Sequence, residues 1–314
     1  MIWLIGAGLM SMEYAKVLKS LNIPFLVIGR GEENCKKISE TYQCDVVSGG
    51  LQNFIKTKPV LPQKAIVAVG IEALSESTTQ LISYGVKEIL LEKPGVGYPH
   101  EINSLVAEAD KAGTTVLLAY NRRFYASVMK AEEIIKNDGG VSSFSFEFTE
   151  WSHVIKTLTK TEAELHNWFL GNSSHVIDTA FFLGGRPKKL AAFYSGSIDW
   201  HPASSNFCGA GISDKDALFS YHANWEAPGR WVLEILTKKN RLLFKPMESL
   251  QIQALGSVAV NPVEIDDSLD KQFKPGLFRQ TQAFLADDYS RLCSIQDQKT
   301  MISNYYLQMS GYAK

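Results

Sequence analysis

Lys93 stands where an apolar stretch gives way abruptly to charge, in Glu88-Ile89-Leu90-Leu91-Glu92-Lys93-Pro94. The three apolar residues make a short buried strand, and ligands of open α/β sheets sit beyond the carboxyl ends of such strands. Pro94 disfavours a helical backbone at Lys93, so the ammonium is presented from a fixed position. So placed, it can polarise a carbonyl or bind a hydroxyl; alone, the pattern also describes a strand ending in a solvated charge pair. His175 is the second candidate, although a lone helical histidine is more often structural. Residues 172–183 read as a helix, with asparagine or serine at its start and Gly184-Gly185 at its stop. A histidine near the first turn meets the positive end of the helix dipole, which disfavours imidazolium and leaves a neutral ring able to accept a proton. Asp178, three residues on, shares its face and can fix its tautomer or orientation. The third group is Tyr120-Asn121-Arg122-Arg123-Phe124, polar and cationic residues just past the apolar run 115–119. It reads equally as a helix cap with two solvated arginines.

These groups need a scaffold, and the chain opens with one. Ile2-Trp3-Leu4-Ile5 is of strand length and leads into Gly6-Ala7-Gly8-Leu9-Met10-Ser11, the spacing of a dinucleotide-binding turn with Ser11 at the third glycine's place. Gly6 permits the tight turn, and Gly8 lets the backbone approach a pyrophosphate. The helix from Met10 to about Leu21 aims its amino end at that phosphate. A second strand, 24–28, ends in Gly29-Arg30-Gly31. An acid at this strand tip would accept hydrogen bonds from the ribose 2′-hydroxyl of NAD, whereas Arg30 suits the 2′-phosphate of NADP. Glu32 and Glu33 fit the opening of the next helix. Further strands at 44–47, 65–69 (ending at Gly70) and 115–119, with helices at 74–84 and 101–112, complete a parallel, doubly wound sheet.

A chain of 314 residues suggests two domains, placed at 1–119 and 120–314. In the second, Phe144, Phe146 and Phe148 alternate with polar residues as in a half-buried strand, and 231–236 with 242–244 make a hairpin around Lys239-Asn240. Residues 200–216, rich in Ser, Gly, Asn and Pro, read as a surface loop, and helical character returns from Leu277. A formal charge of −1 gives no reason to expect nucleic acid or a membrane surface. Cys35, Cys44, Cys208 and Cys293 lack metal-ligand spacing, His201 and His222 have no partners at such spacing, and no metal is expected. The strand at the very start leaves no room for a signal peptide and no run is long enough to span a bilayer, so the expected location is the cytoplasm.

The order of motifs, a glycine turn, Glu-Lys-Pro after the fifth strand and Tyr-Asn-Arg-Arg-Phe after the sixth, resembles the glucose-fructose oxidoreductase, inositol dehydrogenase and rhizopine catabolism (Gfo/Idh/MocA) family over nearly the whole chain. The resemblance implies a Rossmann domain followed by an α+β domain with a large open, mostly antiparallel sheet, one face of which serves dimer or tetramer contacts. It places Lys93 beside nicotinamide and substrate. The family's Asp-x-Gly-x-His-x-x-Asp helix is matched by Gly171-Asn172-Ser173-Ser174-His175-Val176-Ile177-Asp178, with Gly171 where the first aspartate belongs and Ser173 where the glycine belongs. That aspartate supports proton transfer in the inositol dehydrogenase branch, and Gly171 cannot. The resulting expectation is an NADP-dependent oxidoreductase, with NAD the alternative, acting on a secondary alcohol or ketone carbon of a sugar derivative, such as a surface-polysaccharide sugar. Lys93 and His175 would be catalytic. Gly6, Gly8, Leu9, Met10, Gly29, Arg30, Val69, Gly70, Glu92, Lys93 and Asn121 would bind the cofactor, and Lys93, Arg122, Asn172 and His175 the substrate. A non-catalytic NADP-binding sensor or scaffold, and a nicotinamide-assisted glycoside hydrolase, are the rival readings.

Overall fold

The computed structural model describes residues 1–201 and 203–312, which fall into two compact units. The first comprises Met1–Asn121 and Asp270–Thr300; the second comprises Arg122–Leu269 and the residues from Met301 onward. The chain therefore does not divide into 1–119 and a single block 120–314: residues 270–300 return to the first unit.

In that unit, strands and helices alternate: β1 (Ile2–Ile5), α1 (Leu9–Ser20), β2 (Phe25–Ile28), α2 (Glu32–Tyr42), β3 (Asp45–Val47), α3 (Leu51–Lys56), β4 (Lys64–Val67), α4 (Leu74–Tyr84), β5 (Glu88–Leu91), α5 (Ile102–Ala112) and β6 (Thr115–Leu118). Every residue of β1 and β4 is buried, as expected of strands covered on both faces. α4 and α5 stop at Gly85 and Gly113, whose left-handed backbones suit glycine. The parallel strands run in the order β6-β5-β4-β1-β2-β3, so the order reverses between β1 and β4. The crevice outside the carboxyl ends of strands at such a reversal is where doubly wound sheets take their ligands.

The second unit contributes α6 (Ala126–Asn137), β7 (Ser143–Glu147), α7 (Ser152–Ile155), α8 (Glu162–His166), α9 (Ser174–Gly184), β8 (Pro187–Ser195), β9 (Asn206–Ser213), β10 (Leu218–Asn224), β11 (Val232–Leu236), β12 (Asn240–Phe244), β13 (Gln251–Ala254) and β14 (Asn261–Pro262). Its open sheet has the order β14-β13-β12-β11-β7-β10-β9-β8, parallel only between β7 and β10. The alternating phenylalanines point inward. Phe144 stacks on Phe219 and Phe146 on Tyr221, each with ring centres 5.4 Å apart, and Phe181 of α9 meets Phe146 edge-on at 5.4 Å. α9 lies close because Gly184 has no side chain; a Cβ there would fall 2.3 Å from the Phe144 ring.

Residues 200–216 are not simply a loop, since β9 runs through them and pairs with β8 and β10. Gly209 and Gly211 lie opposite Tyr221 and Phe219, and a Cβ at either glycine would come within 2.5 Å of that aromatic ring. Here glycine marks a strand covered by its neighbour's rings, not a turn.

After α10 (Ser268–Gln272) come α11 (Leu277–Leu285), β15 (Cys293–Ser294), α12 (Ile295–Met301) and α13 (Leu307–Ser310). β15 adds an antiparallel edge to β6, which the expected helical tail did not include. Side chains tie this return segment down: the Tyr120 hydroxyl donates to Gln298 at 3.0 Å, Gln298 donates to the Pro94 carbonyl at 3.0 Å, and Lys64 pairs with Glu88 and Asp287. No helix among the described residues is long and apolar enough to cross a membrane.

Candidate functional site

In the first unit, the turn after β1 is shaped by its glycines. Gly6 has φ of +111°, and a Cβ there would sit 2.3 Å from the Ala68 carbonyl oxygen, so only glycine fits. Ser11 is buried and donates to that carbonyl at 3.1 Å, binding the turn to the end of β4. A Cβ at Gly8 would meet nothing within 4 Å, and α1 starts there without a side-chain cap. Free backbone N–H groups and open space at a helix start make a cradle that fits a pyrophosphate. Leu9 is exposed and Met10 half-buried at the first turn of that helix.

The tip of β2 is equally crowded behind and open in front. A Cβ at Gly29 would fall 2.4 Å from the Cys35 sulfur, while Arg30 is exposed between Gly29 and Gly31. Glu32 and Glu33 lie in the first turn of α2, leaving the arginine as the charged residue of the tip. Val69 and Gly70 follow β4, and Gly70 precedes a short 3₁₀ turn.

Lys93 is half-buried just beyond β5, joined to Pro94 by a cis peptide bond. Its neighbour Glu92 is fixed in place: the Tyr14 hydroxyl of α1 donates to it at 2.8 Å, and Gln280 of α11 donates to Tyr14 at 3.2 Å. Burial raises the Glu92 pKa, opposed by the charge of Lys93. Asn121 is buried and its amide donates to the Pro275 carbonyl at 2.9 Å. Both side chains thus visibly hold the frame of the first unit. Lys274, whose charge also reaches Glu92, is a nearby cation that sequence reasoning passed over.

In the second unit, His175 is buried on α9, its ring centre 6.3 Å from that of Trp231. Two expectations need correction. A π-helical turn, Phe169–Ser173, runs directly into α9, so His175 lies inside a continuous helix and not at a free amino end; the dipole reasoning does not apply to it. Asp178, expected to orient His175, is engaged by Arg123. Its two oxygens accept a fork of hydrogen bonds from Arg123, 2.9 Å from Nε and 2.6 Å from Nη2, a buried ion pair.

Beside His175 lies a group that includes one buried carboxyl carrying no expectation. Glu150 is almost wholly buried; Asn172 donates to it at 2.9 Å and Ser173 at 2.7 Å. Its other oxygen faces Arg230 at 3.5 Å. Burial pushes the Glu150 pKa up to about 7 despite these partners. Arg122 lies 4.6 Å and Arg230 4.9 Å from the Trp231 ring centre, and Arg230 lies 4.8 Å from that of Trp151. Burial lowers the Arg122 pKa, opposed by Tyr125, Glu248 and Glu150. Thus Arg122, Asn172 and His175, all expected to meet substrate, belong to one cluster with Glu150, Arg230 and Trp231. A signal for Glu150 was present: it follows the β7 alternation as Lys93 follows β5, a charged residue just past a strand's carboxyl end.

No protein-family model matches the chain, and no curated protein matches it. Solved structures do. UDP-N-acetylglucosamine 3-dehydrogenase GnnA from Acidithiobacillus ferrooxidans is similar with a TM-score of 0.74 at 12% identity, over 98% of this chain and 96% of that one. Levoglucosan dehydrogenase, in complex with NADH and levoglucosan, gives 0.75 at 16% identity, over 96% and 93%. The WlbA dehydrogenase from Chromobacterium violaceum, in complex with NADH and UDP-GlcNAcA, gives 0.69 at 12%, over 95% and 89%. At these identities the likeness shows the fold: a doubly wound parallel sheet followed by a large, mostly antiparallel one.

Proposed function

We propose that the protein is a nicotinamide-dependent oxidoreductase acting on a secondary alcohol or ketone carbon of a sugar derivative. The observation that carries this reading is Lys93, set just past β5 in a sheet whose strand order and open Gly8 cradle fit a dinucleotide. The proteins named above, which share this fold, are dehydrogenases, and two of them were solved with NADH and a sugar or sugar nucleotide. A role in making surface-polysaccharide sugars belongs to this same proposal.

When bound, the nicotinamide supplies or accepts the hydride. The chain's own residues do the rest. The amino end of α1, with Gly6, Gly8, Leu9 and Met10, receives the pyrophosphate, and Arg30 meets the 2′-phosphate of NADP. Lys93 donates a hydrogen bond to the substrate oxygen and steadies the negative charge that develops there. His175 gives the substrate its proton on reduction and removes it on oxidation, while Asn172 and Arg122 orient the substrate. Leu218 and Phe193, 60% and 66% exposed on β10 and β8, support a homodimer or homotetramer formed through the uncovered sheet face.

The test is a panel of free and nucleotide-linked keto sugars, following NADPH absorbance. Oxidation of NADPH that depends on one class of keto sugar supports the proposal. Tight NADPH binding with no oxidation across the panel would leave a sensor or scaffold.

A further inference from the structure

Two guanidinium groups of the second unit face one buried carboxyl, and the balance of charge is positive. Arg122 and Arg230 both lie against Trp231, and Arg230 also lies against Trp151. The rings hold each guanidinium without using its N–H groups, which remain available as donors. Among the described residues the buried Nε of Arg122 has no hydrogen-bond partner. Arg230 is half-exposed and reaches Glu150 only at 3.5 Å, too long for a strong charged hydrogen bond. Glu150 instead takes its short hydrogen bonds from neutral groups, Asn172 and Ser173. Glu248, the other acid near Arg122, is exposed and screened by water. Tyr125 and the Trp168 indole are the remaining polar groups that face this pair of sites.

We propose that Arg122 and Arg230 form a binding site for an anionic group of the substrate, a carboxylate or a phosphoryl group, and that Glu150 gates it by taking up a proton when the anion enters. This rests on the reading that the second unit receives the substrate. Ionised Glu150 competes with the incoming anion for the same guanidiniums; protonated, it remains an acceptor for Asn172 and Ser173 and frees both arginines. Burial of Glu150, which raises its pKa to about 7, puts this exchange near neutral pH. A neutral sugar brings no charge to offset two guanidiniums, one buried and one half-exposed, and leaves them as they were.

The full chain is titrated with D-glucuronate, D-glucose 1-phosphate and D-glucose without nicotinamide, by calorimetry and tryptophan fluorescence, so a failure of the redox reading and a failure of this one are separable. Glucuronate alone binding identifies a carboxylate, the phosphate ester alone a phosphoryl group, and both together a general oxyanion site; each supports the proposal if glucose is at least about tenfold weaker. If binding requires protonated Glu150, affinity falls about tenfold from about pH 6 to about pH 8. In Glu150→Gln the affinity stays high at both pH values, and in Arg230→Gln, which alters a half-exposed side chain, it drops about tenfold or more at both. Glucose binding as well as the anions, no binding by either anion, or an undiminished pH dependence in Glu150→Gln would each overturn the proposal.

Discussion

Glu150 imposes a stability cost that depends on pH, and its sign follows from burial. Its pKa rises from the ordinary glutamate value of 4.5 to about 7 in the folded chain. Between those values the folded protein holds a proton that the unfolded chain has released, so stability falls as pH rises through this window and levels off above about pH 7. Glu150→Gln keeps an acceptor for Asn172 and Ser173 but has no charge to bury. Relative to the parent it should gain about 3 kcal/mol between about pH 4 and about pH 8, as read by urea unfolding at both; parallel stability curves for the two proteins would contradict this. Arg30 makes a second residue-scale prediction. Arg30→Ala should weaken NADPH binding by about 2 kcal/mol, the scale of a hydrogen bond to a charged group, and leave NADH nearly unchanged. Equal weakening of both in a calorimetric titration would make Arg30 a surface residue. Lys93 was legible because a charge and a proline interrupt an apolar run. Glu150 has the weaker signal of the same kind, since it lies three residues past β7 and only the fold brings it to Asn172 and Ser173.

At the scale of elements, most of the first sheet was readable to within a residue or so. α4 was expected at 74–84 and spans Leu74–Tyr84, because four-residue apolar strands and glycine-stopped helices leave little ambiguity. β9 was missed because Gly209 and Gly211 look like turn residues until the Tyr221 and Phe219 rings are placed over them. Gly209→Val should therefore destabilise the second unit by about 2 kcal/mol or more through overpacking. Chemical unfolding of the variant checks it, and parental stability would mean that β9 tolerates a side chain facing Tyr221. The π turn before α9 was also illegible, since Phe169–Ser173 differs from an ordinary helical turn by hydrogen-bond register and not by composition.

At the scale of the whole molecule, the chain falls into two compact units, and the return of residues 270–300 to the first is hidden in the sequence. No shift in composition marks that segment; the anchors are single long-range pairs, such as Asn121 with Pro275 and Gln298 with Pro94. The exposed Phe193 and Leu218 lead to a prediction about assembly: Phe193→Asp with Leu218→Asp should lower the sedimentation mass to that of one chain, while a parent already monomeric at micromolar concentration would exclude the dimer. The central claim is that Lys93 and His175 each take part in the reaction. It is tested most directly by NADPH oxidation with the active keto sugar, comparing the parent with Lys93→Met and His175→Ala. Turnover should fall by about two powers of ten or more in each, with NADPH affinity within a few-fold of the parent; near-parental turnover in either variant would contradict the claim and remove that residue from the reaction.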